Sequence, residues 1–232
     1  MGILNKHSLI ETVDAFNEAE FAGKRWQDEA RAISDWVSGR LGKPGAYAGS
    51  FAMTESDWNR PFRLFTGESI TTRAGRSHII AQETNRMLLF MEKATGTPVD
   101  ALQVSLQKLE ERMYSLPENS AEKCGLYCCG PCSVSVWRVA LAGGYSGHPG
   151  FVDKGVQSLY RHRKEAGGWS RFPFYYTLYG LLGAGEKRIT SALQGWNDSL
   201  HRRFKILHNK RDKYALRRCE VLRRIIQKME KE

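Results

Sequence analysis

Long apolar runs are missing from this sequence, and so is the apolar core of a secretory signal peptide. No stretch of about eighteen apolar residues occurs, so we expect no membrane-spanning helix. The N-terminal segment contains Asn5, Lys6 and His7, which the core of a signal peptide excludes, and Lys6 stands where a myristoylation signal has serine or threonine. We therefore expect a cytoplasmic protein.

Alternation of apolar and polar residues, the pattern of a half-buried strand, is also almost absent. Apolar residues instead recur at spacings of three and four, as in Leu9, Val13 and Phe16, which predicts helices throughout. We expect an all-α fold of stacked antiparallel helical hairpins. The predicted organisation is a helical domain over residues 1–205, with a loop-rich insertion at 39–63 and a cysteine-rich turn at 124–132, followed by a basic amphipathic helix over 206–232.

The positive charge of the sequence is concentrated in one segment. The net charge is +10, and residues 201–232 carry +8 of it, because they hold twelve lysines and arginines against four acidic residues. The same segment has an apolar stripe of Ala215, Cys219, Leu222, Ile226 and Met229. We expect residues 202–224 to bind an acidic protein or nucleic acid. The alternative is that the apolar stripe packs the helix on its own body or on a second copy in a homo-oligomer.

Five cysteines are present, and four of them lie within nine residues: Cys124, Cys128, Cys129 and Cys132. An odd number of cysteines without an export signal argues against a disulfide framework. Three thiolates from one glycine-bearing loop can converge on one cation, and the two-residue gap between Cys129 and Cys132 is that of half a zinc site. The candidate metal ligands are these four cysteines and His148, with His78 as a more distant candidate.

Other chemistries suit the same cysteines. The gaps of four and two residues among Cys124, Cys129 and Cys132 also occur in plant-type iron–sulfur proteins, where a remote cysteine, here Cys219, completes the site. The segment from Cys129 to Cys132 matches the thioredoxin redox tetrapeptide, and a helix N-terminus would lower the pKa of Cys129, although the βαβ alternation of that fold is absent. Burial of the thiols as small apolar side chains is the remaining interpretation.

One turn sequence occurs twice in the second half of the chain. The pattern Gly-Gly-aromatic-Ser-x-x-Pro is shared by residues 143–149 and 167–173. Glycine allows positive φ at a helix C-terminus, and proline presets φ for the first turn of the next helix. On these turns and the aromatic run after the second of them, residues 125–200 resemble the helical repeats of α/α-toroid proteins, a group that includes protein prenyltransferase β-subunits and squalene-type cyclases.

That resemblance implies a partial α/α-toroid-like array of paired helices around an aromatic pocket that accepts an isoprenoid chain. The candidate ligand-binding residues are Trp169, Phe172, Tyr175, Tyr176 and Tyr179. All of them except Trp169 are predicted to share one helical face, and ordinary core packing is the alternative. The acidic motifs of cyclases and the zinc set of prenyltransferases are missing. A prenyltransferase-like or terpenoid-cyclase-like enzyme would therefore need another acid, such as Asp153 or Glu165.

Two functions follow from these patterns. The first is a helical protein that binds an apolar, isoprenoid-like ligand in the aromatic pocket and holds a cysteine-bound metal, either zinc or an iron–sulfur cluster. The alternative is a metal- or cluster-binding accessory module that docks on an acidic protein or nucleic acid through its basic C-terminal helix. They differ in one testable feature, because only the first requires a concave site facing Tyr175, Tyr176 and Tyr179.

Overall fold

Helices account for most of the chain in a computed structural model, which describes residues 2–115, 124–145, 150–165 and 167–230. Eleven α-helices lie within these ranges, so the prediction of an all-α fold is confirmed. In the same part of the chain, no helix has both the length and the apolar character needed to cross a bilayer.

The helices are α1 (Leu9–Phe21), α2 (Ala30–Ser38), α3 (Glu55–Trp58), α4 (Arg73–Thr95), α5 (Asp100–Tyr114), α6 (Gly130–Leu141), α7 (Phe151–Arg161), α8 (Phe174–Leu181), α9 (Glu186–Leu193), α10 (Asn197–His208) and α11 (Lys213–Met229). Short 3-10 turns occupy Gln27–Glu29 and Tyr47–Gly49. Two-residue strands, β1 (Phe62–Arg63) and β2 (Ser69–Ile70), pair into a small sheet.

The chain forms two compact units, each assembled from three separate segments. The first unit comprises Met1–Phe62, Ile70–Asn119 and Arg138–Gly147, and the second comprises Arg63–Ser69, Ser120–Trp137 and His148–Glu232. Helix α6 therefore contributes its residues up to Trp137 to the second unit and its last turn to the first. Helix α11, predicted to follow the main domain as a basic helix, belongs to the second unit.

Helix α4 is the central helix of the first unit, because α1, α2 and α5 all pack against it. All of its residues from Ile79 to Leu88 are buried, including five consecutive polar residues from Gln82 to Arg86. Polar groups removed from water are costly unless they find hydrogen-bond partners within the protein. The middle of α4 thus requires a polar network inside the first unit.

That network is built on Glu83 and Asn17. The Glu83 Oε1 atom accepts a hydrogen bond from Arg138 Nε at 2.7 Å, and both side chains are at most 5% exposed. Asn17 Oδ1 accepts from Arg86 Nη1 at 3.0 Å and from Arg138 Nη2 at 3.1 Å. Arg86 also pairs with Glu20 at 3.1 Å. Each buried arginine thus has a carboxylate partner, and the two share the Asn17 carbonyl oxygen.

In the second unit, α11 packs against α8, α9 and α10, and α9 packs against α7. Of the predicted apolar stripe on α11, Ala215, Leu222 and Ile226 are buried, whereas Cys219 and Met229 are partly exposed. The stripe therefore packs on the helices of its own unit.

The loop between β1 and β2 belongs to the second unit, where hydrogen bonds of charged side chains hold it to α8 and α11. Arg217 Nη1 donates to the Phe65 carbonyl at 2.9 Å, and Arg218 Nε donates to the Thr66 carbonyl at 2.6 Å. Glu68 Oε1 accepts the backbone N–H groups of Tyr175 and Tyr176, each at 3.0 Å. A carboxylate at this position caps the positive end of α8.

Helix α8 begins later than the aromatic pattern predicts. Pro173 has an extended conformation with ψ of 125°, and the helix begins at Phe174. Phe172 therefore precedes the helix, and the prediction that it shares one helical face with Tyr175, Tyr176 and Tyr179 is wrong. Proline restricts the residue before it to extended conformations, which prevents the helix from starting at Phe172.

Candidate functional site

We call residues 124–132 the thiol loop, and its last three residues form the start of α6. Cys129 immediately precedes the helix, and its carbonyl oxygen accepts the Ser133 N–H at 2.8 Å, as in a first helical turn. Pro131 follows in the first turn, where its fixed φ suits a helix and its missing N–H costs nothing. The predicted location of Cys129 at a helix N-terminus is therefore observed.

Hydrogen bonds hold the thiol loop against its own unit. Ser133 Oγ accepts the Tyr127 N–H at 2.8 Å and also lies within hydrogen-bond distance of the Tyr127 and Cys129 carbonyl oxygens. Trp137 Nε1 donates to the Gly125 carbonyl at 2.7 Å. Ser158 Oγ, on α7, donates to the Cys124 carbonyl at 2.7 Å. The backbone that carries the cysteines is thus fixed along its length.

Close backbone approaches fix the thiol loop further. A Cβ atom on Gly130 would lie 2.1 Å from the Arg171 carbonyl oxygen, and one on Gly125 would lie 2.3 Å from both the Gly155 nitrogen and the Phe151 oxygen. Distances this short are impossible for a real side chain, so these positions require glycine. The glycines of the thiol loop therefore let neighbouring backbone segments pack directly on it.

Three cysteine sulfurs converge at the end of the thiol loop, and we refer to Cys128, Cys129 and Cys132 as the thiol cluster. The Cys129 and Cys132 Sγ atoms are 3.2 Å apart, and those of Cys128 and Cys132 lie within 4.8 Å of each other. Cys128 is exposed and has a φ of 52°, whereas Cys132 is fully buried. A left-handed conformation is uncommon for cysteine, and such strain concentrates at functional sites.

The cluster stabilises one thiolate, on Cys129. Several groups together lower the pKa of Cys129 to about 6: hydrogen bonding from the Cys132 thiol is the largest cause, and the Cys132 backbone, the Cys128 thiol and the positive charge of Arg171 act in the same direction. Donation to Cys129 raises the pKa of Cys132, and burial raises the pKa of Cys128. The arrangement is therefore one thiolate with two thiol donors directed at it.

This arrangement is suited to binding a single metal ion. Zinc bonds to thiolates at about 2.3 Å, so two sulfurs on one tetrahedral zinc lie roughly 3.8 Å apart. The observed 3.2 Å between Cys129 and Cys132 needs only a small separation of the sulfurs to reach that distance. Protons leave thiols when a metal binds, and Cys129 is the cysteine of the cluster from which this is easiest.

The other predicted ligands have different surroundings. Cys124 is half-buried at the start of the thiol loop, and Cys219 lies on α11, where burial raises its thiol pKa. His148 lies outside the described residues. His78 lies on α4 in the first unit, with its ring centre 3.9 Å from that of Tyr47, and burial followed by the charge of Arg112 lowers its pKa. A neutral imidazole is the form expected there at pH 7.

The predicted ligand-binding aromatics are packed against other rings in the second unit. Trp169 lies 4.8 Å from Trp196, Phe172 stacks on Trp137 at 5.9 Å, and Tyr179 stacks on Phe65 at 4.5 Å. Tyr176 is buried, and Tyr175 is partly exposed beneath the Arg218 guanidinium. Their surroundings are those of core residues, and the aromatic pocket for an apolar ligand stays a prediction.

Several basic residues of the predicted 202–224 segment have partners within their own unit. Arg217 and Arg218 point to the loop after β1, as described above, and Arg223 and Arg224 pair with Glu220 at 2.6 and 2.7 Å. The basic character of the segment is therefore partly used in folding, and binding of an acidic protein, nucleic acid or second copy stays a prediction.

Arg171 is a residue of the site that the sequence patterns do not identify. It has a φ of 69°, its carbonyl meets Gly130, and its charge acts on Cys129. The Gly-Gly-aromatic-Ser-x-x-Pro turn marks its neighbourhood as a special backbone, but Arg171 is one of the unspecified positions of that pattern. Nothing in the spacing could connect it with a thiol more than forty residues earlier.

Comparison with known proteins adds no relative: no family model, curated protein or solved structure matches this chain.

Proposed function

We propose that this protein is a metal-binding protein whose thiol cluster holds a single zinc-class cation. The observation that carries this proposal is the convergence of three sulfurs, with Cys129 and Cys132 only 3.2 Å apart. Soft thiolate ligands select zinc and copper(I) over the hard cations magnesium and calcium. A tetrahedral zinc ion takes four ligands, so three sulfurs leave one position, for which Cys124 on the same loop is the sequence-based candidate.

The rigidity of the thiol loop supports the same conclusion. A metal site gains affinity when its ligands are held in place before the ion arrives. Here hydrogen bonds with the side chains of Ser133, Trp137 and Ser158 restrain the backbone before Cys128 and the carbonyl group of Cys129. If the cysteines served only as small buried apolar side chains, Cys128 would need neither its exposed position nor its left-handed backbone.

Metal analysis of anaerobically purified protein tests this proposal. We expect close to one zinc per chain, and an intense thiolate-to-cobalt charge-transfer band after replacement of zinc by Co²⁺. The variants Cys129→Ser and Cys132→Ser should lose both, whereas Cys219→Ser, a matched control on α11, should keep them. Metal-free protein that also fails to give the cobalt band would overturn the proposal. Iron with visible absorption would instead favour the iron–sulfur alternative and overturn the single-ion site.

A second candidate function is thiol–disulfide exchange, favoured by the pairing of the Cys129 thiolate with the Cys132 thiol at hydrogen-bond distance. Cys129 would attack one sulfur of a substrate disulfide and release one substrate thiolate, forming a mixed disulfide. Cys132 would then lose its proton, displace the second substrate thiolate and leave a Cys129–Cys132 disulfide.

Oxidised glutathione distinguishes the second candidate from the first. If exchange is the function, metal-free protein releases two reduced glutathiones for each Cys129–Cys132 disulfide formed, and Cys132→Ser accumulates the mixed disulfide on Cys129. Purified protein would then contain no metal. Stoichiometric zinc together with slow, non-selective glutathionylation would reject exchange and retain the metal site.

A further inference from the structure

The connection between α10 and α11 exposes an unusual combination of side chains. We call residues 205–216 the hairpin tip, since they comprise the last turn of α10, the connection and the first turn of α11. Two of the four most exposed large apolar side chains of the described residues lie here, Ile206 at 67% and Leu216 at 49% exposure. Exposed apolar side chains that cluster mark interaction sites more often than single ones do.

The two aliphatic side chains lie at the same level of the helical hairpin. Helices α10 and α11 pack against each other, Ile206 precedes the end of α10 by two residues, and Leu216 follows the start of α11 by three. Both are therefore about one helical turn from the connection, as expected of two anchors near one end of a hairpin.

Positive charge surrounds these anchors. Lys205, Lys210, Arg211 and Lys213 are all exposed, and Asp212 is the one acidic residue of the hairpin tip. The Asp212 carboxylate accepts the Ala215 N–H at 3.0 Å and so caps the N-terminus of α11. The hairpin tip thus presents four cations against one carboxylate that is engaged with its own helix.

We infer that the hairpin tip docks this protein on an anionic lipid surface. Lipid phosphates and carboxylates attract the four cations, and the boundary between headgroups and acyl chains accepts Ile206 and Leu216. A nucleic acid would use the cations but leave both aliphatic side chains in water. A second copy of the same tip would bring like charges together. This inference does not depend on the thiol cluster.

Flotation of the full chain with lipid vesicles tests the inference. We expect co-flotation with vesicles of three parts phosphatidylcholine to one part phosphatidylserine, none with phosphatidylcholine alone, and release at high salt because surface charges are screened. Replacing Lys205, Lys210 and Arg211 by Gln together should weaken binding by about 100-fold, since each cation near the surface contributes about a fivefold factor.

The aliphatic anchors have their own test. The double variant Ile206→Ser, Leu216→Ser should weaken binding to the same vesicles by at least about tenfold, because two partly buried aliphatic side chains are lost from the interface. Val104→Ser, an exposed aliphatic on α5, and Lys164→Gln with Lys187→Gln, exposed cations elsewhere in the second unit, are matched controls that should bind as the wild type does. Circular dichroism should show that every variant keeps its helices.

Three outcomes would overturn the inference. One is equal binding to neutral and anionic vesicles, and another is binding that the hairpin-tip variants leave unchanged. The third is tighter binding to a labelled nucleic-acid duplex that depends on the lysines but not on Ile206 and Leu216, which would assign the hairpin tip to nucleic acid.

Discussion

At the scale of single residues, glycine determines whether the thiol loop can form. In Gly130→Ala, the new Cβ would meet the backbone of Arg171 and Phe172 at 3.0 Å or less, and backbone atoms cannot rotate away as a side chain can. We expect a loss of about 1–3 kcal/mol in the free energy of unfolding, together with weaker metal binding. Denaturant titration and metal analysis measure the two effects.

Gly39→Ala is the matched control for that variant. Gly39 has a φ of −63°, and its Cβ would have no neighbour closer than 3.5 Å. Alanine is compatible with this conformation, so we expect a gain of about 0.4–1 kcal/mol from the reduced entropy of the unfolded chain. Equal destabilisation by both substitutions would contradict the close approach of Gly130 and Arg171.

The thiolate on Cys129 gives a second residue-scale prediction, for metal-free protein. Because its pKa is lowered to about 6, its alkylation by iodoacetamide should rise with pH, reach half its maximum near that value and be nearly maximal at pH 7. In Cys132→Ala, which removes the main hydrogen-bond donor, the midpoint should move up toward the ordinary cysteine range. Peptide mapping by mass spectrometry separates Cys129 from Cys128 and Cys219, whose pKa values are raised. A midpoint near that of free cysteine in wild-type protein would refute the hydrogen-bonded thiolate.

At the scale of secondary-structure elements, α4 depends on one buried ion pair. Arg138→Ala would leave the Glu83 carboxylate buried without its cation, at a cost of about 3–5 kcal/mol in the free energy of unfolding. Glu83→Leu combined with Arg138→Met should recover much of that loss, because no unpaired charge remains. A double-mutant cycle by chemical denaturation measures the coupling between the two residues.

The exposed pair of Arg188 and Asp153 is the control for the buried one. Its geometry is similar, with Nε to Oδ1 at 2.6 Å, but the side chains are 37% and 49% exposed. Water screens such a pair, so Arg188→Ala should cost only about 0–1 kcal/mol. A similar loss in both variants would mean that burial does not set the strength of the Glu83–Arg138 interaction.

Helix α8 has an N-terminal cap supplied from far along the chain. Glu68→Gln keeps an oxygen for the Tyr175 and Tyr176 N–H groups but removes the negative charge, so we expect a loss of about 0.5–1 kcal/mol. Glu68→Ala removes the acceptor as well and should cost up to about 2 kcal/mol. Thermal unfolding monitored by circular dichroism should show the order wild type, Gln, Ala, and a reversed order would reject the cap.

Local patterns predict most helices, because the spacing of apolar residues follows from the helix itself. The spacing of Leu9, Val13 and Phe16 locates α1, and the Cys-Gly-Pro-Cys segment identifies the N-terminus of α6. The burial of the polar residues from Gln82 to Arg86 could not be predicted, since it arises from three helices that pack around α4. Likewise, the four cysteines of the thiol loop are visible in the sequence, whereas Arg171 and Ser158 reach them only through the tertiary fold.

At the scale of the whole molecule, neither compact unit is a continuous stretch of chain. A fragment of residues 1–119 contains most of the first unit but lacks Arg138, the partner of Glu83, and Tyr145, whose hydroxyl donates to Gln82 at 2.7 Å. We expect this fragment to show no cooperative thermal transition, although it contains five of the helices. A sharp transition with native near-ultraviolet dichroism would show that the segment 138–147 is dispensable.

The discontinuity also bears on synthesis by the ribosome, which delivers the chain from its N-terminus. The first unit cannot complete its buried network until Arg138 and Tyr145 have emerged, by which time the thiol loop is already outside. The loop that contains Phe65 and Thr66 can form its hydrogen bonds to arginine only later still, because these arginines on α11 are synthesised 152 residues after it. A pause in translation between residues 95 and 138 would therefore expose a nascent chain in which Glu83 of the central helix α4 lacks Arg138, and chaperone contacts should concentrate on that interval.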